Sequence, residues 1–173
     1  MAYQVGSEVS LNELAVNLRI GWSTVERYLD LLERSYVIFR LPAFSNNLRK
    51  EIVKNSKIFF WDTGVRNSIL NDFNFSPYRS DISALWENWV IAEFAKRNLL
   101  GGKLENMYFW RTRSGSEVDL VIRGTGVFKA FEIKWSKESR AAARGEAFTN
   151  RYQIPVETIT RQNITDYILS AQK

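Results

Sequence analysis

The stretch that most constrains the fold is GSEVDLVIRGTGVFKAFEIKWS, at residues 115–136. In the run 117–122, Val118, Leu120 and Ile122 face one way, and the residues between them, which include Glu117 and Asp119, face the other; this is the two-residue period of a half-buried β-strand. A second strand-like run, 127–135, follows turn residues that include two glycines. The two runs therefore predict an antiparallel β-hairpin.

The length of the hairpin turn decides which side chains meet. A two-residue turn at Thr125 and Gly126 places Asp119 directly opposite Glu132, with Cβ atoms roughly 5 Å apart. Lys134 shares the face of Glu132, because residues two apart on a strand point the same way. A three-residue turn would send the two carboxylates to opposite faces, so their meeting requires an even turn or a bulge that restores parity.

The spacing Asp-x12-Glu-x-Lys resembles the signature of the PD-(D/E)XK nuclease superfamily, with Val118 in place of the Pro before Asp119. This resemblance implies that Asp119, Glu132 and the carbonyl of Ile133 hold a Mg²⁺ ion, and that Lys134 orients or activates the attacking water. Carboxylate oxygens suit Mg²⁺, which is the cofactor expected here. The alternative is an exposed sheet face with balanced charges.

The chain of 173 residues contains neither Cys nor His. Disulfides, thiolate nucleophiles, Ser-His-Asp triads and Cys/His zinc sites are therefore excluded, and a metal site must use carboxylates. No apolar run approaches the ~18 residues of a membrane span, and no signal peptide opens the chain, so we expect a cytoplasmic protein with no membrane partner. The net charge of +5 fits a nucleic-acid partner.

Residues 10–34 predict two consecutive helices joined by a short turn. Ser10 with Glu13, and Ser23 with Glu26, each form a capping box ahead of apolar residues at helical spacing. The two helices together predict a helix-turn-helix.

Strands expected at 37–41 and 57–61 would complete a winged helix. Its second helix, 24–34, either reads a DNA major groove or, because its outer surface is slightly acidic, packs against a partner. Cations between the strands predict either a nucleic-acid contact or a solvated loop: Arg49, Lys50, Lys54 and Lys57. The polar, proline-containing segment 71–80 predicts a boundary between a first domain at 1–75 and a second at 76–173.

A helix predicted at 81–99 is apolar on most sides and should therefore be buried on most sides. Glu87 and Glu93 lie among its apolar residues, and a buried carboxylate needs a partner or a metal. The nuclease resemblance implies that Glu87 joins the metal site. The alternative is that Glu87 pairs with Arg111 or Arg113.

A basic stripe follows the hairpin, at a spacing that places its members on one side of a helix. It consists of Lys137, Arg140, Arg144 and Arg151. The stripe predicts either a nucleic-acid-binding surface or a solvated helix face. With a third strand at 107–111 and a last strand at 155–159, the order helix, three strands, helix, strand is that of a restriction-endonuclease-like αβββαβ core. The predicted fold class is therefore α/β (α+β), with a mixed central sheet behind an N-terminal winged helix.

Four blocks occur in order in this chain: KIFFWDTGVRN, LWENWVIAEF, YFWRTRSGSEVDLVI and FEIKWS. Together they resemble the C-terminal domain of unknown function that follows an AAA-type ATPase module in bacterial and archaeal proteins. The resemblance implies an ATPase domain of the same natural chain as a partner. This chain has no Gly-rich phosphate loop with a Lys and should not hydrolyse ATP itself.

Three functions are compatible with these residues. The first is a module that binds nucleic acid or regulates the ATPase through its nuclease-like core. The second is an active Mg²⁺-dependent nuclease that cleaves phosphodiesters. The third is an oligomerisation or protein-interaction domain, which the aromatic helix around Trp86 and Trp89 suggests.

Overall fold

The computed structural model describes residues 2–45, 56–74, 76–102, 105–136 and 145–169. A short 3-10 helix, Ala2–Gln4, comes first and is followed by β1 (Glu8–Val9), α1 (Leu11–Leu18), α2 (Trp22–Arg34), β2 (Ile38–Leu41), β3 (Ser56–Phe60), α3 (Thr63–Leu70), α4 (Ile82–Leu100), β4 (Asn106–Arg111), β5 (Glu117–Gly124), β6 (Val127–Ile133), α5 (Glu146–Tyr152), β7 (Val156–Ile159) and α6 (Ile164–Leu169). None of these helices is both long and apolar enough to cross a membrane.

The described strands form two sheets. The first has the order β1-β3-β2 and is antiparallel, whereas the second has the order β4-β5-β6-β7. Within the second sheet β4, β5 and β6 are antiparallel, and β7 lies parallel to β6. The chain is therefore a mixed α/β protein with a mixed sheet, and the predicted order of helix, three strands, helix and strand is present from α4 to β7.

One of the two predicted capping boxes is wrong. The Ser10 side chain accepts a hydrogen bond from the backbone N–H of Glu13 at 3.3 Å, so the predicted cap of α1 is present. In contrast, α2 begins after Gly21, which caps it without any side-chain hydrogen bond. Ser23 therefore lies inside the helix, where its hydroxyl cannot fill the capping position that the spacing to Glu26 suggested.

The main hydrophobic core is continuous across the predicted boundary near residue 75. Buried side chains of the first sheet, such as Phe59, belong to the same cluster as Val90 and Ile91 of α4 and Leu120 and Phe131 of the second sheet. The helix predicted at 81–99 is therefore buried as expected, because it lies between elements from both parts of the chain.

Polar contacts also join the two parts of the chain. The buried side chain of Asn88 accepts the N–H of Phe60 and donates to its carbonyl oxygen, each at 2.8 Å. Phe109 on β4 donates its N–H to the Pro42 oxygen at 3.0 Å and accepts from the N–H of Phe44 at 2.6 Å. These bonds fix the segment after β2 along the edge of the second sheet.

A second apolar cluster covers the opposite face of the second sheet. It consists of Phe44, Trp110, Val118, Val121, Ala130 and Phe148. Phe148 on α5 is fully buried and, with the half-buried Tyr152, packs this short helix against the sheet. Burial of such a side chain contributes roughly 1.5–3 kcal/mol.

Gly145, just before α5, approaches β7 closely. A Cβ atom at this position would lie 2.8 Å from the Cβ of Val156, a distance at which one of the two elements must shift. We therefore expect Gly145→Ala to lower the free energy of unfolding by ~1–3 kcal/mol through overpacking, measured by urea denaturation. Gly21→Ala is the matched control, because Gly21 also caps a helix without a side-chain bond and its added Cβ meets nothing nearer than 3.8 Å. Equal losses in the two variants would contradict the close approach.

Candidate functional site

The register of the β5–β6 hairpin agrees with the two-residue turn. The strands pair from Gly124↔Val127 to Leu120↔Phe131. Gly126 in the turn has φ +72°, a left-handed conformation that favours glycine. The paired residues end at Leu120↔Phe131, one position before Asp119 and Glu132.

Asp119 also lies in a β-bulge that the sequence did not reveal. The neighbouring β4–β5 pairs are Tyr108↔Val121 and Trp110↔Val118, with a register shift between them. Asp119 and Leu120 therefore lie opposite a single residue, Phe109. Bulges re-aim side chains and are common beside active sites. The one-residue insertion depends on how β4 pairs with β5, which alternation within β5 alone does not specify.

The Asp119 carboxylate is buried and lies where the pairing of β5 with β6 ends. Only 8% of the residue is exposed, and its Oδ2 accepts the backbone N–H of Ile133 at 2.7 Å. Burial raises the pKa of Asp119, while the Ile133 N–H and the ammonium of Lys134 oppose that rise. The carboxylate is thus held at a fixed position by the strand that carries Glu132 and Lys134.

Lys134 brings the two predicted carboxylates together. Its Nζ lies 2.6 Å from Glu132 Oε1 and 4.0 Å from Asp119 Oδ2. Glu132 is 3% exposed. The backbone N–H of Lys134 donates to the Ile159 oxygen at 2.9 Å, which fixes the end of β6 against β7. The structure therefore gathers Asp119, Glu132 and Lys134 at one end of the hairpin, with the backbone of Ile133 between them.

A second ion-pair network lies beside this group. Lys57, on β3, is 4% exposed, and its Nζ lies 3.1 Å from Glu87 Oε1 and 2.7 Å from Glu117 Oε1. The same ammonium is 5.5 Å from the ring centroid of Phe109, the residue opposite the bulge. A lysine from the first sheet therefore reaches carboxylates on α4 and β5.

Two interpretations from the sequence are wrong at this network. Lys57 is not part of a solvated or nucleic-acid-contacting loop, because β3 begins at Ser56 and buries it. Glu87 does not pair with Arg111 or Arg113 but with Lys57, since Arg111 instead bonds to Glu8 at 3.1 Å. The available signal was the position of Lys57 at the head of the apolar run KIFF, where a lysine needs a buried counter-charge.

The two networks influence each other electrostatically. Burial would lower the pKa of Lys57, but the carboxylates of Glu87, Glu117 and Asp119 together raise it above its ordinary value. Burial raises the pKa of Glu87 to about 7; Lys57 opposes this rise, and Asp119 and Glu117 add to it. With Glu132 and Lys134 included, four carboxylates face two ammonium groups, a formal charge of −2 when all are ionised.

The geometry offers a divalent cation two carboxylates rather than three. In the described ranges no group of three or more acidic side chains is placed to hold a metal ion. Glu87 is engaged by Lys57, whereas Asp119 and Glu132 share the Lys134 ammonium. Mg²⁺ is commonly bound through one or two carboxylates, together with water and substrate phosphate.

Most of the predicted basic stripe lies outside the described residues. This applies to Lys137, Arg140 and Arg144, as it does to Arg49, Lys50 and Lys54 of the earlier loop. Arg151 is described on α5, where it is exposed and its guanidinium lies 5.4 Å from the ring centroid of Tyr152.

Comparisons with known families divide the chain into two matching parts. Residues 1–76 match the family described as Domain of unknown function (DUF8612), and residues 83–167 match Domain of unknown function (DUF4143). DUF4143 is a domain found with AAA-type ATPases. The chain is therefore similar, over its second part, to ATPase-associated domains.

Two curated proteins are similar to much of this chain. They are "Uncharacterized protein Mb2031c" of Mycobacterium bovis and "Uncharacterized protein Rv2008c" of Mycobacterium tuberculosis, each 32% identical to this chain over 136 residues. The match covers 78% of this chain but 30% of each relative, so the chain spans less than a third of their length. No solved structure matches the chain.

We expect removal of the buried lysine charge to destabilise the fold. Lys57→Met leaves Glu87 and Glu117 without their shared counter-charge, and breaking a buried pair from one side typically costs ~3 kcal/mol or more. Urea denaturation at neutral pH measures the change. Lys129→Met is the matched control, because Lys129 is an exposed lysine on β6, and its loss should stay within about 0.5 kcal/mol. A loss at Lys57 no larger than at Lys129 would show that the network does not stabilise the fold.

The raised pKa of Glu87 predicts a pH dependence of stability. Its carboxyl holds a proton more tightly in the folded chain, so this contribution is fully present below the ordinary pKa of 4.5 and is lost as pH rises through about 7. We expect the free energy of unfolding of the wild type to fall relative to Glu87→Gln between about pH 5 and pH 8. Glu93→Gln, on the same helix but paired with Lys96, is the control. A constant difference between wild type and Glu87→Gln at every pH would contradict the shift.

Proposed function

We propose that this chain is the C-terminal module of an AAA-type ATPase, and that its nuclease-like core binds nucleic acid or regulates the ATPase. The contact would lie at a divalent-cation site formed by Asp119 and Glu132. The observation that carries this proposal is the position of the Lys134 ammonium between two carboxylates from adjacent strands, at a bulge. That group has the composition expected of a site for a metal ion and a phosphate.

The order of elements supports a nuclease-like core. A helix, three antiparallel strands, a helix and a fourth strand parallel to the third run from α4 to β7, which is the arrangement proposed from the sequence. The winged-helix interpretation is supported by two adjoining helices, α1 and α2, followed by two antiparallel strands, β2 and β3. In this proposal both units serve the ATPase partner.

Mg²⁺ fits the donor set of the site. Asp119 and Glu132 supply hard oxygen atoms, the surroundings carry excess negative charge, and the Ile133 carbonyl would be a further ligand. Glu87 would join the site only by giving up its ion pair with Lys57. When bound, Mg²⁺ would attract and polarise a phosphate oxygen of the nucleic acid. The residues of this chain hold the ion and position the phosphate.

Phosphodiester cleavage is the second candidate function. The specific observation in its favour is the Lys134 ammonium, 2.6 Å from Glu132, because an amine at the metal carboxylates can orient or deprotonate a water. Lys134→Met distinguishes the two candidates. Under the binding proposal the wild type and this variant both bind DNA or RNA without nicking it, whereas under the cleavage proposal the wild type nicks it and Lys134→Met does not.

We expect Mn²⁺ or Mg²⁺ to bind the purified chain with a single-site isotherm in calorimetric titration. Asp119→Asn and Glu132→Gln keep the size of each side chain but remove one negative charge, so each should weaken binding at least about tenfold, a typical effect of losing a charged ligand group. Glu13→Gln, an exposed carboxylate on α1, is the control and should leave the isotherm unchanged. Equal affinity in wild type and both site variants would overturn the cation site.

A further inference from the structure

Three tryptophan side chains form a partly exposed cluster where α4 meets the end of β6. The rings of Trp86 and Trp89 stack with centroids 5.3 Å apart and an interplanar angle of 22°. Trp135 meets Trp86 edge-on at 5.8 Å and 75°. We call these three residues the tryptophan cluster. Trp86 and Trp89 come from α4, and Trp135 lies just beyond the end of β6.

The cluster adjoins both ion-pair networks along the chain. Trp86 directly precedes Glu87, and Trp135 directly follows Lys134. The cluster and members of both networks are therefore carried by the same two segments of the chain, α4 and the end of β6.

The cluster retains exposed aromatic surface and one unused donor. Trp89 is 37% exposed, unlike the fully buried Phe131 and Phe148 of the two cores. The indole N–H of Trp86 is buried and finds no acceptor among the described residues. Buried indole donors usually have a partner. The exposed face of Trp89 can stack against a flat ligand, whereas the buried Trp86 donor is not accessible to one.

A planar cation lies on the same cluster. The guanidinium of Arg161 is 4.1 Å from the ring centroid of Trp135, and its Nε donates to the Trp135 oxygen at 3.1 Å. Arg161 itself is exposed. A stacked guanidinium keeps N–H groups at its rim that can bind a phosphate. The cluster thus combines aromatic rings with a fixed positive charge.

We propose that the tryptophan cluster is a stacking site for unpaired bases of a nucleic-acid strand, with Arg161 contacting its backbone. This inference rests on the proposed nucleic-acid-binding function and adds to it the class of substrate, a strand with unpaired bases. Base faces are covered inside a duplex, whereas a single strand can lay them on aromatic side chains. Stacking is tolerant of sequence because every base has an aromatic face.

The test compares a labelled single-stranded oligonucleotide with a blunt duplex of the same length, by fluorescence anisotropy with Mg²⁺ present. We expect Trp89→Ala to weaken binding of the single strand by about tenfold, as expected for the loss of one stacked base, and to change duplex binding little. Trp89→Phe should retain much of the affinity. Tyr78→Ala is the control, because Tyr78 is an aromatic residue with 92% exposure outside the cluster, and it should behave as wild type.

A second readout reports on the rings directly. Binding of the single strand should quench the intrinsic tryptophan fluorescence of the wild type, and Trp89→Phe should reduce that quenching. Thermal unfolding followed by circular dichroism checks that each variant is folded; Trp89→Phe, as the smaller change, provides the comparison if Trp89→Ala does not fold.

The outcomes separate this inference from the proposed function. Wild-type binding that is unaffected by Trp89→Ala and Trp89→Phe overturns the stacking site and leaves nucleic-acid binding intact. Failure of the wild type to bind either oligonucleotide overturns both. A wild-type dimer in light scattering that Trp89→Ala converts to a monomer, with unchanged oligonucleotide affinity, would identify the cluster as a protein interface and also overturn the inference.

Discussion

The arrangement of this protein depends most on the ion pairs that the buried Lys57 ammonium forms with two carboxylates. Burying a charged group costs several kcal/mol unless opposite charges and hydrogen bonds compensate for its lost hydration. Here the compensation comes from Glu87 on α4 and Glu117 on β5, at 3.1 and 2.7 Å. A strand of the first sheet is therefore held to the helix and the sheet that follow it, and together they enclose one continuous core.

The candidate site depends on the same junction. Phe109 lies under the Lys57 ammonium, forms hydrogen bonds with the segment after β2, and stands opposite the bulge that contains Asp119. The first part of the chain thus borders the carboxylate site through Lys57 and the segment after β2. A cation bound at the site would compete with Lys57 for Glu87 and with Lys134 for Asp119. Its binding would therefore alter the ion pairs that join the two parts of the chain.

Several features could be predicted because they are encoded locally. Strand periodicity and the glycines of the turn predicted the hairpin, but they left two registers open; the structure has the two-residue turn, and Lys134 lies close to both Asp119 and Glu132. The long apolar helix α4 was predicted by its lack of a polar face. Other features were not predictable because their partners are distant in the chain: Lys57 is separated from Glu87 by 30 residues, and the bulge arises only when β4 pairs with β5.

The sequence alone determined most of the helices and strands and their order, and it limited a metal site to carboxylates, because periodicity, turn residues and the absence of His and Cys are properties of neighbouring residues or of composition. Only the tertiary structure decided which charges are paired and which aromatic rings reach the surface. Ion pairing follows from distances and burial set by the packing of the whole chain, so Glu87 is held by a lysine from another sheet while Asp119 and Glu132 share Lys134.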